Sequence, residues 1–240
     1  MAAAAIFSRE HELDLIRDFF GPSAGFFVDV GANDPKIDSQ TWHLEQRGWT
    51  GVLIEPQPEL AQRLRQERIA KVYAVACSSP ADAGRSMTLH LAGTQSSLNP
   101  DFFVFKMHRE GTIDVPVKTL DEVLADAGAP MPLDFVSIDV ESHEIEVLKG
   151  FNLDRWRPKL LLVEDIVLNL RLHRYLQSRG YKWVRRTAIN SWYVPASSLM
   201  RVSLFGRLQF ARKYFLGTPF RRLREALRDI RAWLRSTPRR

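Results

Sequence analysis

Two rhythms of apolar residues alternate along most of the first 180 positions. From Ser8 to Phe20, Leu13, Ile16, Phe19 and Phe20 recur at helical spacing, which predicts an amphipathic helix ended by Gly21 and Pro22. FFVDV (26–30) follows, too short for a helix and apolar enough for a strand buried on both faces. GVLIE (51–55) and KVYAVAC (71–77) predict its second and third companions. The stretches between them read as helices. Asp38 or Ser39 caps the first, which ends near Gly48, and Pro58 opens the second with Leu60 and Leu64 on its inner face.

MTLHLA (87–92) alternates as an antiparallel or edge strand does, and residues 93–112 read as a mobile polar loop. DVPVKT (114–119) predicts a short strand that runs into Thr119 and Glu122, spaced as a capping box at a helix start. DFVSIDV (134–140) and KLLLVED (159–165) are strands separated by a helix from Ser142 to Lys149, which Gly150 stops. A helix from Ile166 to Arg179, stopped by Gly180, leads to a hairpin of YKWVRR (181–186) and NSWYVP (190–195). Alternating strands and helices imply an α/β fold, a mainly parallel sheet covered on both faces.

Charge divides the chain into a body, 1–200, and a tail, 201–240. The tail holds 12 Arg or Lys against two acids, a net of +10, whereas the body holds 22 basic and 26 acidic residues, a net of −4. Leu204, Leu208, Ala211 and Phe215 recur at helical spacing, and Thr218 and Pro219 open a second helix with Phe220, Leu223, Leu227, Ile230 and Leu234 on one face. Such a basic amphipathic tail suits either an anionic membrane surface or a helix seam with the body or a second subunit, as in a homodimer. Nucleic acid is not expected, because the body is acidic and lacks a binding motif. The single cysteine, Cys77, excludes an intrachain disulfide, and neither a secretory signal nor a long apolar span is evident. These features predict a cytoplasmic protein, peripheral at the inner face of the membrane if the tail binds lipid.

The chemistry gathers at strand ends, where open parallel sheets bind ligands. In VDVGANDP (28–35), Gly31 follows a strand directly and allows close approach of the backbone. Glu55 ends the next strand 24 residues later, placed to accept from both hydroxyls of a ribose. The full glycine pattern of a pyrophosphate cradle is absent, which favours a nucleoside without phosphates over a nicotinamide dinucleotide. Asp139, Glu141, His143 and Glu144 crowd the end of the fourth strand, and Glu164 and Asp165 close the fifth. Asp139 and His143 are the candidate catalytic pair, His143 for its titration near neutrality. Asp139, Glu164 and Asp165 are candidate oxygen ligands for Mg²⁺ or another hard cation. Trp42 reads as a core residue, and His43 lies beside it.

FFVDVGAND, GVLIEPQPE, VPVKTLDEVL, DFVSIDVESHEIEVLKG and PKLLLVED, in that order, resemble the FkbM-type methyltransferases over about residues 25–165. The resemblance implies a class I methyltransferase, a Rossmann-like seven-stranded sheet that transfers a methyl group from S-adenosylmethionine to a hydroxyl. It implies that Asp29, Gly31 and Asn33 line the methionine and ribose side, Glu55 the ribose, and Cys77 and Ser78 the adenine. QSSLNP (95–100) resembles a family loop that approaches the cofactor, with Ser96 and Ser97 facing cofactor or acceptor. Two positions depart from the pattern: Pro35 and Ser142 stand where the family has glycine. The expected acceptor is a sugar hydroxyl in a glycan or glycolipid. The alternatives are a small secondary metabolite as acceptor, or a non-catalytic module that keeps the nucleoside pocket.

Overall fold

FFVDV forms β1 (Phe26–Val30), whose Phe27, Val28 and Val30 are buried because both sheet faces are covered. The computed structural model describes residues 9–102, 110–165, 170–187 and 189–217. β1 pairs in parallel with β2 (Thr50–Ile54) and with β7 (Phe135–Ile138), so Val28 lies opposite Val52 and Val136. β3 (Lys71–Tyr73) extends one edge in parallel and β8 (Leu160–Glu164) continues the other. The hairpin of β9 (Tyr181–Thr187) and β10 (Asn190–Pro195) completes the sheet, with β10 antiparallel to β8. The strand order is β3-β2-β1-β7-β8-β10-β9, and the reversal beside β1 puts a crevice beyond the carboxyl ends of β1 and β7.

On one face α1 (Arg9–Phe20), α2 (Trp42–Glu45) and α3 (Pro58–Glu67) contribute Ile16, Leu44 and Leu64 to a cluster with Phe27, Leu53 and Phe135. Gly21 ends α1 at φ +64°, and Phe20 meets Trp49 edge-on at 4.8 Å. On the other face lie α4 (Leu120–Ala127), α5 (Glu144–Lys149), α6 (Leu153–Trp156) and α7 (Arg171–Ser178). Their Val123, Leu148, Trp156 and Leu176 pack on Val28, Val136 and Leu161. The capping box is present, with Thr119 Oγ1 accepting from Glu122 N–H and the Glu122 carboxylate accepting from Thr119 N–H.

Several expectations change in detail. KVYAVAC is two strands, since β4 (Ala76–Cys77) leaves the main sheet and pairs in parallel with β6 (Gly111–Lys118). β5 (Ser86–Leu91) joins β6 in antiparallel register, and a small apolar core of Ala76, Leu89, Leu98, Val115 and Val117 holds this second sheet together. The helix after β1 is a single turn, where Ser39 Oγ accepts from Trp42 N–H at 3.1 Å. Trp42 is only half-buried, and Trp49 takes the core position expected of it. The helix expected to open at Ile166 begins, within the described residues, at Arg171. In the tail, α8 (Leu204–Ala211) runs into a π-helical turn, Arg212–Gly217, and Gln209 joins it to the backbone of Arg186 on β9. The helix expected beyond Thr218 lies outside the described residues.

Candidate active site

A cavity of about 820 Å³ opens beyond the carboxyl ends of β1, β2, β7 and β8, within the size range of small-molecule sites. Asp29, Gly31, Asn33, Glu55, Cys77, Asp139, His143 and Glu164 all line it, so most of the residues singled out in the sequence converge. The segment from Gly93 to Leu98 forms another wall. It is tied down by reciprocal backbone bonds between His90 and Ser97 and by Ser97 Oγ donating to the Glu141 carbonyl at 2.5 Å.

Glycine at position 31 is required for a reason the sequence does not reveal. Its φ is +87°, and a Cβ there would lie 1.8 Å from the Asp139 carbonyl oxygen. The backbone of β1 therefore passes hard against that of β7 at the cavity floor. Two residues on, Asn33 adopts φ +49°, a left-handed conformation that asparagine tolerates well. Its N–H donates to Glu55 Oε2 at 2.9 Å, and Gln57 N–H donates to Glu55 Oε1 at 2.9 Å. Each carboxylate oxygen keeps a further lone pair for a ligand. Burial raises the Glu55 pKa to about 7, against the lowering effect of those two bonds.

Asp29 accepts from Thr41 Oγ1 at 2.7 Å. Thr41 in turn accepts from Arg68, a buried guanidinium that also pairs with Glu45 at 2.8 Å and binds Ser39 Oγ. A further bond runs from Arg68 to the Pro35 carbonyl at 3.0 Å, so the proline that replaces the family's glycine is anchored from beneath. Glu12 of α1, also buried, accepts from Gln40 in the cavity wall and from Asn190, both at 2.8 Å, and from Thr187. The sequence offers no sign of either network, because Arg68 and Glu12 sit among polar helix residues and act over long separations.

Cys77 lines the cavity as a buried thiol whose pKa burial pushes up to about 12. Ser78 does not line it. Side chains alternate along a strand, and Ser78 turns inward, where its Oγ donates to Asp82 at 2.7 Å and lies 2.9 Å from His143 Nε2. Since the hydroxyl proton goes to Asp82, the ring nitrogen is the donor. His143 is then the Nε2–H tautomer with its lone pair on Nδ1, and burial lowers its pKa so that the ring is neutral.

The acid corner is also reordered. Oxygens of Asp139, Glu141 and Glu164 all lie within 4.8 Å of one another, whereas Asp165 takes no part. Glu164 and Asp165 are consecutive and face opposite ways. Asp165 is buried against the tail instead, paired with Lys213, accepting from Tyr214 and Ser191, and near Arg186. Its place is filled by Glu141, which together with Ser142 is left-handed, at φ +54° and +75°. Burial, and after it repulsion from the Asp139 carboxylate, raise the pKa of both Glu141 and Glu164, and burial raises Glu144 to about 8. The corner therefore holds shared protons near neutral pH.

With this geometry in view, the methyltransferase FkbM domain matches residues 29–183, more than half of the chain. The chain belongs to the FkbM methyltransferase family. Its seven-stranded sheet, with one antiparallel strand, β10, between β8 and β9, is the class I methyltransferase fold, and the donor of the family is S-adenosylmethionine. Among solved structures, methyltransferase FkbM from Methylobacillus flagellatus KT is 17% identical over 71% of this chain and 43% of that one, with a TM-score of 0.45. The chain thus spans less than half of that protein's length. The N-terminal domain of human METTL16 in complex with SAH is 13% identical over 78% and 68% of the two chains, with a TM-score of 0.42. M. capricolum TrmK in complex with S-adenosyl-homocysteine is 11% identical over 79% and 67%, with a TM-score of 0.38. No curated protein matches the chain. Among the described residues, no helix is long and apolar enough to cross a membrane.

Proposed function

We propose that this FkbM-family chain transfers a methyl group from S-adenosylmethionine to a hydroxyl, and that the acceptor is a sugar in a glycan or glycolipid. The observation that carries the reading is one cavity with two unlike ends. Glu55, Asn33 and the floor at Gly31 suit a nucleoside, and the acid corner with His143 suits a polyhydroxylic acceptor. The donor fits: the Glu55 oxygens are already preset by two backbone N–H groups, and Cys77 adds a neutral, weakly polar surface for a base ring. When bound, the donor supplies an electrophilic methyl on a sulfonium.

The chain's own contribution is orientation and proton removal. His143 offers one fixed lone pair at Nδ1 for the hydroxyl proton, with Ser78 and Asp82 holding the ring. Asp139 and its two crowded neighbours accept hydrogen bonds from the acceptor's other hydroxyls. Isothermal calorimetry with S-adenosylmethionine and its demethylated product, together with labelled-donor transfer to cell-envelope glycolipid, tests the proposal. His143→Asn is expected to lower turnover by about 10²-fold while leaving donor affinity unchanged. Failure of the native chain to bind either ligand at millimolar concentration would remove the donor reading.

A second reading concerns the acid corner. Asp139, Glu141 and Glu164 are suited to hold Mg²⁺, which would orient a diol and displace the shared protons. Glu141, not Asp165, completes the set. Transfer that persists undiminished after exhaustive chelation would remove the metal.

A further inference from the structure

The tail helix satisfies its packing with one side only. On the inner side Gly206 approaches the Val184 carbonyl, Phe210 meets Trp183 at 5.2 Å, and Lys213 and Tyr214 reach Asp165. On the outer side Leu204, Phe205, Leu208 and Phe215 are 80, 53, 68 and 63% exposed, and Leu199 just before the helix is 96% exposed. Leu204, Leu208 and Phe215, three of the four residues that recur at helical spacing in the sequence, thus face solvent. Large apolar side chains gathered on one short segment mark a docking surface more than scattered ones do.

Charge selects the occupant. Arg201, Arg207 and Arg212 stand exposed among these apolar residues, and no acid occurs from position 201 to 224. We infer that this face docks on an anionic lipid bilayer, with Leu204, Leu208 and Phe215 entering the interface and the arginines meeting headgroup phosphates. A two-fold seam between copies would set one basic tail against another, a repulsive arrangement. The buried Lys213–Asp165 pair fastens the docking helix to the residue after Glu164, so the surface belongs to the folded body. The inference stands apart from the methyl-transfer reading, since it uses no cavity residue.

Co-sedimentation of the full chain with vesicles of phosphatidylcholine containing phosphatidylglycerol, and of phosphatidylcholine alone, tests it. Leu208→Glu/Phe215→Glu alters only exposed positions, and circular dichroism verifies its fold. Binding to the anionic vesicles is expected, weakening with added salt and falling at least about tenfold in the double variant. Equal binding by both proteins, or none by the native chain, overturns the assignment. So does a double variant that changes from dimer to monomer in light scattering while its vesicle binding holds, which would make the face a seam between copies. Donor affinity measured on the same samples reports separately on the cavity.

Discussion

At the scale of single residues, Gly31 shows how a backbone contact can fix an amino acid. A side chain there would be strained at φ +87° and would strike the Asp139 carbonyl. That carbonyl has no easy retreat, because Asp139 N–H donates to the Val30 carbonyl at 2.9 Å. Gly31→Ala is therefore expected to cost about 2–5 kcal/mol, combining backbone strain and overpacking, and to weaken donor binding with it. Urea unfolding reads the first effect, and a variant within about 0.5 kcal/mol of the native chain would refute the account. The glycine itself was legible as the residue after a strand. Its partner was not, being 108 positions away. Ser142 is the reverse case: its departure from the family's glycine was visible, and the structure gives the consequence, a serine at φ +75° beside a left-handed Glu141. Asp165 was misplaced because strand-end acids look alike in a sequence, while the two-residue alternation sends neighbours to opposite sides.

Among the elements, the long apolar strands and the cap at Thr119 were readable because their signals are local. The third strand was not readable as two, since Ala76 and Cys77 leave the main sheet through pairing with Val117 and Lys118, some 40 residues away. The tail is the element whose role changes most. Its charge suggested a part separate from the body, yet its π-helical turn inserts Lys213 into a buried pair with Asp165, and Lys213 Nζ also donates to the Asp165 carbonyl at 2.6 Å. Such turns inside helices often mark a constraint, and here the widened turn brings both Lys213 and Tyr214 to one carboxylate. Lys213→Met is expected to destabilise the protein by about 3–5 kcal/mol, because it leaves a buried carboxylate without its cation. Chemical denaturation measures this. A loss below about 1 kcal/mol would show that Arg186 and Tyr214 suffice to satisfy the Asp165 carboxylate without Lys213.

Across the whole molecule, burial of ionisable groups makes stability depend on pH in a way that exposes the site. Glu55 and Glu144 have folded pKa values raised to about 7 and about 8, and Glu141 and Glu164 are raised as well, by burial and by the neighbouring carboxylates, Asp139 foremost. A carboxyl group with a raised folded pKa binds its proton more tightly in the folded chain. Its stabilisation is complete below the unfolded pKa and is lost as pH rises through the folded one. The histidines act in the opposite direction: His43 is lowered to about 4 by burial, and His143 and His173 are lowered too, so they cost stability as pH falls below about 6.5. Below that value the two sets oppose each other. Above it only the carboxyls titrate, and the ligand-free protein should lose about 2–3 kcal/mol between roughly pH 6.5 and 8.5 from Glu55 and Glu144 alone. Glu144 supplies the larger share because its higher pKa keeps it protonated in the folded chain through more of that window, so Glu144→Gln should flatten most of the slope. Thermal unfolding across the range, for the native chain and this variant, measures both. A midpoint that holds constant or rises towards pH 8.5 would mean that the acid corner is already neutralised, either by solvent entering it or by a tightly held cation.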